Sequence, residues 1–334
     1  MTITSTRRPG QALLGAALWV TAFTASAANA CSELTAAAQD RPYSTATLAA
    51  ADGVCLRVFA WKPAPLQVTQ VTQATQVTQV TQVRAVVVIT HGIRDYALRY
   101  GSLVKQLTAQ GIAVYAQDLR GHAHSGGDRQ RFDSMAQLVA DADLVVSKAA
   151  QENPAAPLFV FGHSLGGLVT TEYALAHTAK VKGVILSGAA LKLPLSVSSF
   201  SVGIAQLIAK IAPGLPIQKI DDSEFSRDKD VMAALATDPL ISHDKLPAVS
   251  VSAAIAGIND VNRSMETFKL PMLLLHGTAD KVNPIEGSRE LAQRASSADK
   301  TLKTYDGLYH DLLHEPEHAK VERDIVEWLN ARLR

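Results

Sequence analysis

One seven-residue stretch, Phe161-Gly162-His163-Ser164-Leu165-Gly166-Gly167, constrains this chain more than any other. Before it, Leu158–Gly162 (LFVFG) is a continuous apolar run of strand character; after it, Leu165–His177 has helical spacing. A strand that passes directly into a helix through G-x-S-x-G drives its serine into a strained backbone conformation, and only small neighbours such as Gly162 and Gly166 leave room for that turn. The Ser164 hydroxyl then stands at the C-terminal edge of a sheet and at the start of a helix, where a nucleophile is accessible. The five-residue pattern alone arises readily by chance; its force comes from the strand before it and the helix after it.

The remaining chain supplies such a sheet. Strand-like runs fall at Val54–Trp61, Arg84–Thr90, Ile112–Gln117, Val181–Ser187, Met272–Gly277 and Thr301–Tyr305. Helical patterns fall near Leu98–Gln110, Ser134–Gln151, Pro284–Ala295 and Pro316–Leu333. Continuous apolar strands alternating with amphipathic helices mean an α/β fold with a parallel sheet covered on both faces. The rhythm stops between Gly188 and about Phe268, where no strand is evident; this is a second domain or an inserted cap. Within it Phe200, Ile204, Leu207, Ile208 and Ile211 recur at helical spacing. That face either packs on the core or belongs to a lid. Five V/A-T-Q triplets from Val68 to Gln82 have a period of three, which matches neither strand nor helix. The repeat (68–83) reads as an expanded loop with no function of its own and, being uncharged and rich in Val and Thr, as an aggregation liability.

With 32 Lys+Arg against 31 Asp+Glu, the chain has no basic field for nucleic acid. Two cysteines exclude a disulfide scaffold and a cysteine-based zinc module. Arg7 and Arg8, the apolar run Ala12 to Phe23 and Ala28-Asn29-Ala30 read as an export signal occupying residues 1–30. The run is shorter than the ~20 residues that span a bilayer. The export signal places the mature protein in the periplasm or outside the cell. Cys31 then follows the cleavage site, and two readings stand: a disulfide to Cys55, which is favoured, or lipid attachment at Cys31. Against the second, Ala28 occupies a position where a lipoprotein signal usually has a Leu-like residue.

A serine hydroxyl needs a base to take its proton and a third group to orient that base, here in the chain order Ser, acid, His. Asp280 lies just past the strand MLLLHG, and His310 follows the next strand, so both reach the same sheet edge. Asp299 precedes a strand, Asp306 ends the strand that already delivers His310, and His276 sits within a buried strand as a core histidine. His310, His314 and His318 recur every four residues, but Pro316 interrupts that helix and no further ligand cluster accompanies them, so no metal is expected. An oxyanion hole needs two backbone N–H groups: one from Leu165, after the nucleophile, and one from Ile93 in the loop following the RAVVVIT strand.

The chain resembles the monoacylglycerol lipase and lysophospholipase branch of the α/β-hydrolases. The resemblance rests on HGIRDYALRY (91–100), YAQDLRGHAHSGG (115–127), GHSLGG (162–167), IDDSEFSRDKD (220–230), ATDPLI (236–241), LLLHGTADKV (273–282) and KTYDGLYHDLLHE (303–315). It implies a mostly parallel eight-stranded sheet with helices on both faces, a core of residues 31–187 and 269–334, and a helical cap at 188–268. It implies Ser164, Asp280 and His310 as the triad, Ile93 and Leu165 as oxyanion donors, and Asp95, Arg99 and His163 around the alcohol group of the substrate. A single-acyl-chain lipid ester, monoacylglycerol first, is the implied substrate, with lysophospholipase or broad esterase as the alternative and a non-catalytic binding module as the rival from another class. No cofactor and no obligate protein partner are implied; the cap's apolar face is expected to line an acyl tunnel and to touch a membrane surface transiently. The chain departs from the family's H-G-x-G-E-H at Arg94, Asp95 and Tyr96, from its G-H-G at Ala123, and from a glycerol-contacting Tyr at Leu235.

Overall fold

The computed structural model describes residue 31 and residues 41–64, 83–194 and 197–333. The leader, 1–30, and the V/A-T-Q triplets lie outside the described residues.

The first half of the fold comprises β1 (Ser44–Ala49), β2 (Cys55–Trp61), β3 (Ala85–Thr90), α1 (Gly101–Ala109), β4 (Ile112–Gln117), α2 (Met135–Glu152), β5 (Leu158–His163), α3 (Leu165–Ala176) and β6 (Gly183–Ser187). Then come α4 (Ser199–Ile211), β7 (Pro216–Gln218), α5 (Lys229–Thr237), β8 (Leu246–Pro247) and α6 (Ala248–Ser264). The chain closes with β9 (Met272–Gly277), α7 (Ile285–Arg294), β10 (Lys300–Tyr305) and α8 (His318–Ala331). The main sheet has eight strands in the order β1-β2-β4-β3-β5-β6-β9-β10. β2 runs antiparallel to both its neighbours, and every pairing from β4 to β10 is parallel.

The central strands read as unbroken apolar runs because both faces are covered. β3, β4, β5 and β9 are buried at every position. Their side chains alternate between two cores. Val86, Val88 and Val160 pack with Leu138 and Val145 of α2 and Leu168 of α3. Val87, Ile89, Phe159 and Phe161 pack with Leu103 and Leu107 of α1 and Ile325 and Trp328 of α8.

Two differences from the sequence reading have a common cause. β1 (STATLA) was not anticipated, and neither was the small ladder in which Pro216 and Gln218 face Pro247 and Leu246. β1 is a half-exposed edge strand paired only with β2, and β7 and β8 are very short and contain proline. None carries an apolar period, so pairing with a neighbour is what makes each a strand.

In the mostly helical insert between β6 and β9, α4 turns its apolar residues outward. Phe200 and Ile211 are 76% and 75% exposed, Ile204 and Leu207 are also exposed, and Ala205 is the buried residue of α4. α4 packs on α6 instead of on the sheet. Cys31 is bonded to Cys55 at the start of β2, as the favoured reading expected.

Candidate active site

Ser164 follows β5 directly and opens α3 with φ 52° and ψ −119°, a left-handed conformation for a residue with a side chain. The turn closes only because its neighbours lack Cβ atoms. A Cβ on Gly166 would stand 2.1 Å from the Thr90 carbonyl oxygen, and one on Gly162 would stand 2.3 Å from that of Gly166. α3 therefore begins against the end of β3, beside the loop that carries Ile93.

Loops after other strands reach the same edge. His310 Nδ1 donates to Asp280 Oδ2 at 2.8 Å, and both side chains are buried. Asp280 Oδ1 accepts the N–H groups of Val282 and Asn283 at 2.8 and 2.9 Å. Burial opposes ionisation of Asp280, but the facing His310 and hydrogen bonds from His276 and His310 outweigh it and hold the carboxyl below its usual range. For His310, burial works against the charged form; the charge and hydrogen bond of Asp280 prevail and raise its pKa. The pair thus favours a proton on the histidine over one on the aspartate.

Ser164 and His310 are not hydrogen-bonded in this conformation. The partner of the serine hydroxyl is Asn283, whose Nδ2 donates to Ser164 Oγ at 3.4 Å and to the Gly188 carbonyl at 2.8 Å. Ile93 and Leu165 line a cavity of about 240 Å³ together with Ser164 and Asn283. Leu165, as the first residue of α3, has an N–H with no partner inside the helix. The rest of the wall is mostly apolar, with Leu193, Val197, Phe225, Ile255 and Ile258 among its residues, beside the polar Lys192, Gln218 and Ser250. A larger groove of about 730 Å³, beside Tyr43, Trp61 and Val104, contains none of the candidate residues.

Three expected substrate contacts lie elsewhere. Asp95, Arg99 and His163 are not among the cavity-lining residues. Asp95 accepts Arg99 at 2.8 Å and the Tyr100 hydroxyl at 2.7 Å, and Arg99 continues to Asp311 at 3.1 Å. Asp311 in turn accepts His314 Nδ1 at 2.8 Å, while His314 Nε2 faces the Arg99 carbonyl at 3.0 Å. With an acceptor at each ring nitrogen, the charged form of His314 is favoured and its pKa is raised: burial opposes the charge and Asp311 overrides it. Asp95 sits in the ion-pair network because a carboxylate buried here requires the guanidinium beside it. His163 donates Nδ1 to the Ser187 carbonyl at 3.0 Å and packs on the His310 ring at 4.8 Å. Burial, then the charge of His310, pushes its pKa down to about 4, so it is neutral.

The insert does not form the expected tunnel through α4 either: none of Phe200, Ile204, Leu207, Ile208 or Ile211 lines the cavity, to which the insert contributes residues of α6 together with Leu193, Pro194, Val197 and Phe225 among others. Leu235 is buried in a small cluster with Phe225 and Ile241.

Residues 81–317 match the family described as serine aminopeptidase, S33. The monoacylglycerol lipase of Mycolicibacterium smegmatis is 37% identical over 250 residues, 75% of this chain and 89% of that protein. Human monoglyceride lipase is 30% identical over 297 residues, 88% and 91% of the two chains. The crystal structure of Paleococcus ferrophilus monoacylglycerol lipase aligns at TM-score 0.69 with 34% identity, over 75% of this chain and 95% of that one. The chain belongs to the monoacylglycerol lipase branch of the α/β-hydrolases.

As a serine hydrolase of that branch, it carries features around the site that the sequence reading did not assign. His276 is buried in β9 as expected, yet it also touches the acid, its Nε2 lying 3.1 Å from Asp280 Oδ2 while Nδ1 accepts the Ser288 hydroxyl at 2.8 Å. Asn283, the hydroxyl's partner, carries no motif and is found only by its position. The rival acids are engaged elsewhere: Asp299 pairs with Arg332, and Asp306 accepts the Thr278 hydroxyl at 3.1 Å. His310, His314 and His318 do not share a helix, and among the described residues no His/Cys/Asp/Glu group is arranged to hold a metal. The family glycine positions now occupied by Arg94 and Ala123 both have left-handed backbone, φ 56° and 38°. These residues therefore keep the turn of the glycine they replace.

Proposed function

We propose that the protein hydrolyses esters of lipids with one acyl chain, monoacylglycerol first among them, to fatty acid and alcohol. The observation that carries this is an apolar cavity of about 240 Å³ with Ser164 in its wall and the hydrogen-bonded Asp280–His310 pair at the same sheet edge. The cavity's mostly apolar lining, with few polar groups, is the chemistry that an acyl chain requires. The relatives named monoacylglycerol lipase support the substrate class.

In this reading the Ser164 hydroxyl leaves Asn283 for His310, gives up its proton and attacks the ester carbonyl. Asp280 holds the imidazole in the tautomer that accepts the proton and stabilises the imidazolium. The Ile93 and Leu165 amides receive the oxyanion, a contribution of about 2.7–4 kcal/mol for each donor. The alcohol departs with the proton from His310, and water deacylates the enzyme by the same route. Asp95 and Arg99 act through Asp311 on the backbone next to His310, instead of on the glycerol. Neither a metal nor an organic cofactor takes part.

One observation bears on the lysophospholipase alternative. Lys192 is the cation among the cavity-lining residues, and it is paired with Glu290 instead of being open to a phosphate. Initial rates on a monoacylglycerol and a lysophospholipid of equal chain length, with Ser164→Ala as control, test the assignment. Faster turnover of the monoacylglycerol is expected; faster turnover of the lysophospholipid reassigns the substrate, and full turnover by Ser164→Ala refutes the mechanism.

The same reading places the mature enzyme outside the cytoplasm, with residues 188–268 as its cap. The leader pattern and the Cys31–Cys55 disulfide support export, since structural disulfides persist in oxidising compartments. The exposed stripe of α4 supports a transient contact of the cap with a lipid surface.

A further inference from the structure

The loop after β3 runs Thr90-His91-Gly92-Ile93-Arg94-Asp95 and is held to the core on both sides of Arg94. Gly92 lies so close to the nucleophile that an added Cβ would be 2.9 Å from the Ser164 Cβ. Asp95 is tied down by Arg99 and Tyr100. Between these anchors Arg94 turns the other way. Its side chain is 1% exposed and reaches into the insert. There NH1 donates to the Ile220 carbonyl at 3.0 Å and pairs with Asp222. NH2 donates to the carbonyls of His243 and Asp244 at 3.1 and 3.2 Å. One planar guanidinium thus joins two insert segments that are far apart in the chain, 220–222 and 243–244. Asp222 is braced in turn by His243 Nδ1 at 2.7 Å. A fork of N–H donors in fixed geometry suits this role, which a point charge on a flexible stem cannot fill.

The reaction does not otherwise use Arg94, and its left-handed backbone is a conformation glycine adopts freely. A buried guanidinium at such a position shapes whatever its backbone neighbour does, and that neighbour is Ile93. We propose that Arg94 is a positioning residue: it fastens the cap to the oxyanion loop, so that the seating of the cap sets the aim of the Ile93 amide. This rests on the reading of Ser164 as nucleophile and Ile93 as oxyanion donor. It adds that the cap contributes to the chemical step for every ester, including one too short to need the acyl cavity.

The test uses the full mature chain and a soluble short-chain ester. Arg94→Gly suits the backbone and removes the fork; Asp222→Asn removes the charged partner from the cap side; Arg94→Lys keeps the charge without the fork. For Arg94→Gly, kcat is expected to fall roughly ten- to a hundredfold with KM nearly unchanged. Its affinity for a trifluoromethyl ketone, which forms a tetrahedral oxyanion on the serine, should fall by a similar factor. Asp222→Asn should lose part of that rate, the double variant no more than Arg94→Gly alone, and Arg94→Lys should recover little. Unchanged kcat in Arg94→Gly, or losses that multiply in the double variant, would overturn the proposal. Should Arg94→Gly not fold, Asp222→Asn with unchanged kcat and ketone affinity overturns it equally. Failure of the underlying reading looks different: the wild-type protein would resist a fluorophosphonate serine probe, or Ser164→Ala would still turn over ester.

Discussion

At Ser164 and Ala123 the backbone is left-handed in both cases, φ 52° and 38°, but for different reasons. Ser164 is held there by β5 and α3, whose junction places the hydroxyl at the cavity; strain of this kind typically amounts to about 1–3 kcal/mol. Ala123 stands where the family has glycine and makes no contact the chemistry uses. Replacing either by glycine relieves the backbone and offsets it partly through the greater freedom of the unfolded chain. A net gain of about 1 kcal/mol in urea unfolding is therefore expected for Ser164→Gly and for Ala123→Gly. Turnover separates them: it should vanish in Ser164→Gly and persist in Ala123→Gly. No gain in either variant would show that the surrounding contacts, and not the backbone, set the local energy.

Elements meet at two places whose chemistry is testable. Glu172 of α3 faces α6, where a Cβ on Gly257 would stand 2.5 Å from its Oε1, and that oxygen has no partner among the described residues. Burial, then the nearby Asp260, pushes its pKa up from 4.5 to about 7. The native chain thus holds the proton to higher pH than the unfolded chain. The stability it contributes is complete below pH 4.5 and is lost as pH rises through about 7. Glu172→Gln should flatten the fall in melting temperature between pH 5 and pH 8, and an unaltered slope would show that the carboxyl is solvated. On α4, Phe200 and Ile211 are three-quarters exposed. Phe200→Ser combined with Ile211→Ser should weaken binding to phospholipid vesicles at least roughly tenfold, given ~1.5–3 kcal/mol for each large apolar side chain removed from water. Hydrolysis of a soluble ester should be unaffected, and unchanged vesicle binding would remove α4 from any membrane role.

Across the whole molecule, the disulfide closes a 24-residue separation at the one strand, β2, that runs against both its neighbours. In chain-entropy terms such a closure contributes about 3.5 kcal/mol, a large part of an ordinary domain's stability. Cys31→Ser, or reduction of the native protein, should lower the unfolding free energy by a few kcal/mol with kcat little changed, because Cys55 opens β2, three strands away from β5 in the sheet, and neither cysteine lines the cavity. Loss of activity at full stability would point instead to a role of the N-terminal segment at the site. Arg94, Ser164, Asp280 and His310 all follow the C-terminal ends of parallel strands, so the contacts of Arg94 with the insert lie at the same sheet edge as Ser164.

Much of this was legible in the residues because its causes are local. A strand–Ser–helix junction needs glycine at fixed offsets, buried parallel strands need unbroken apolar runs, and loops after successive strands must reach one edge; hence the positions of Ser164, Asp280 and His310 could be read in order. Edge strands such as β1 escaped because pairing, not composition, makes them strands. The directions of side chains escaped for a related reason. Asp95 and Arg99 joined a buried ion-pair network instead of the cavity because a desolvated carboxylate requires a partner, and that partner chain runs on to Asp311, 212 residues from Arg99 in sequence. The apolar face of α4 has the same spacing whether it meets a core, a tunnel or solvent, and only its packing on α6 turned it outward. Arg94 reads locally as a glycine replaced; its four partners, 126 to 150 residues away, exist only once the insert has folded against the loop after β3.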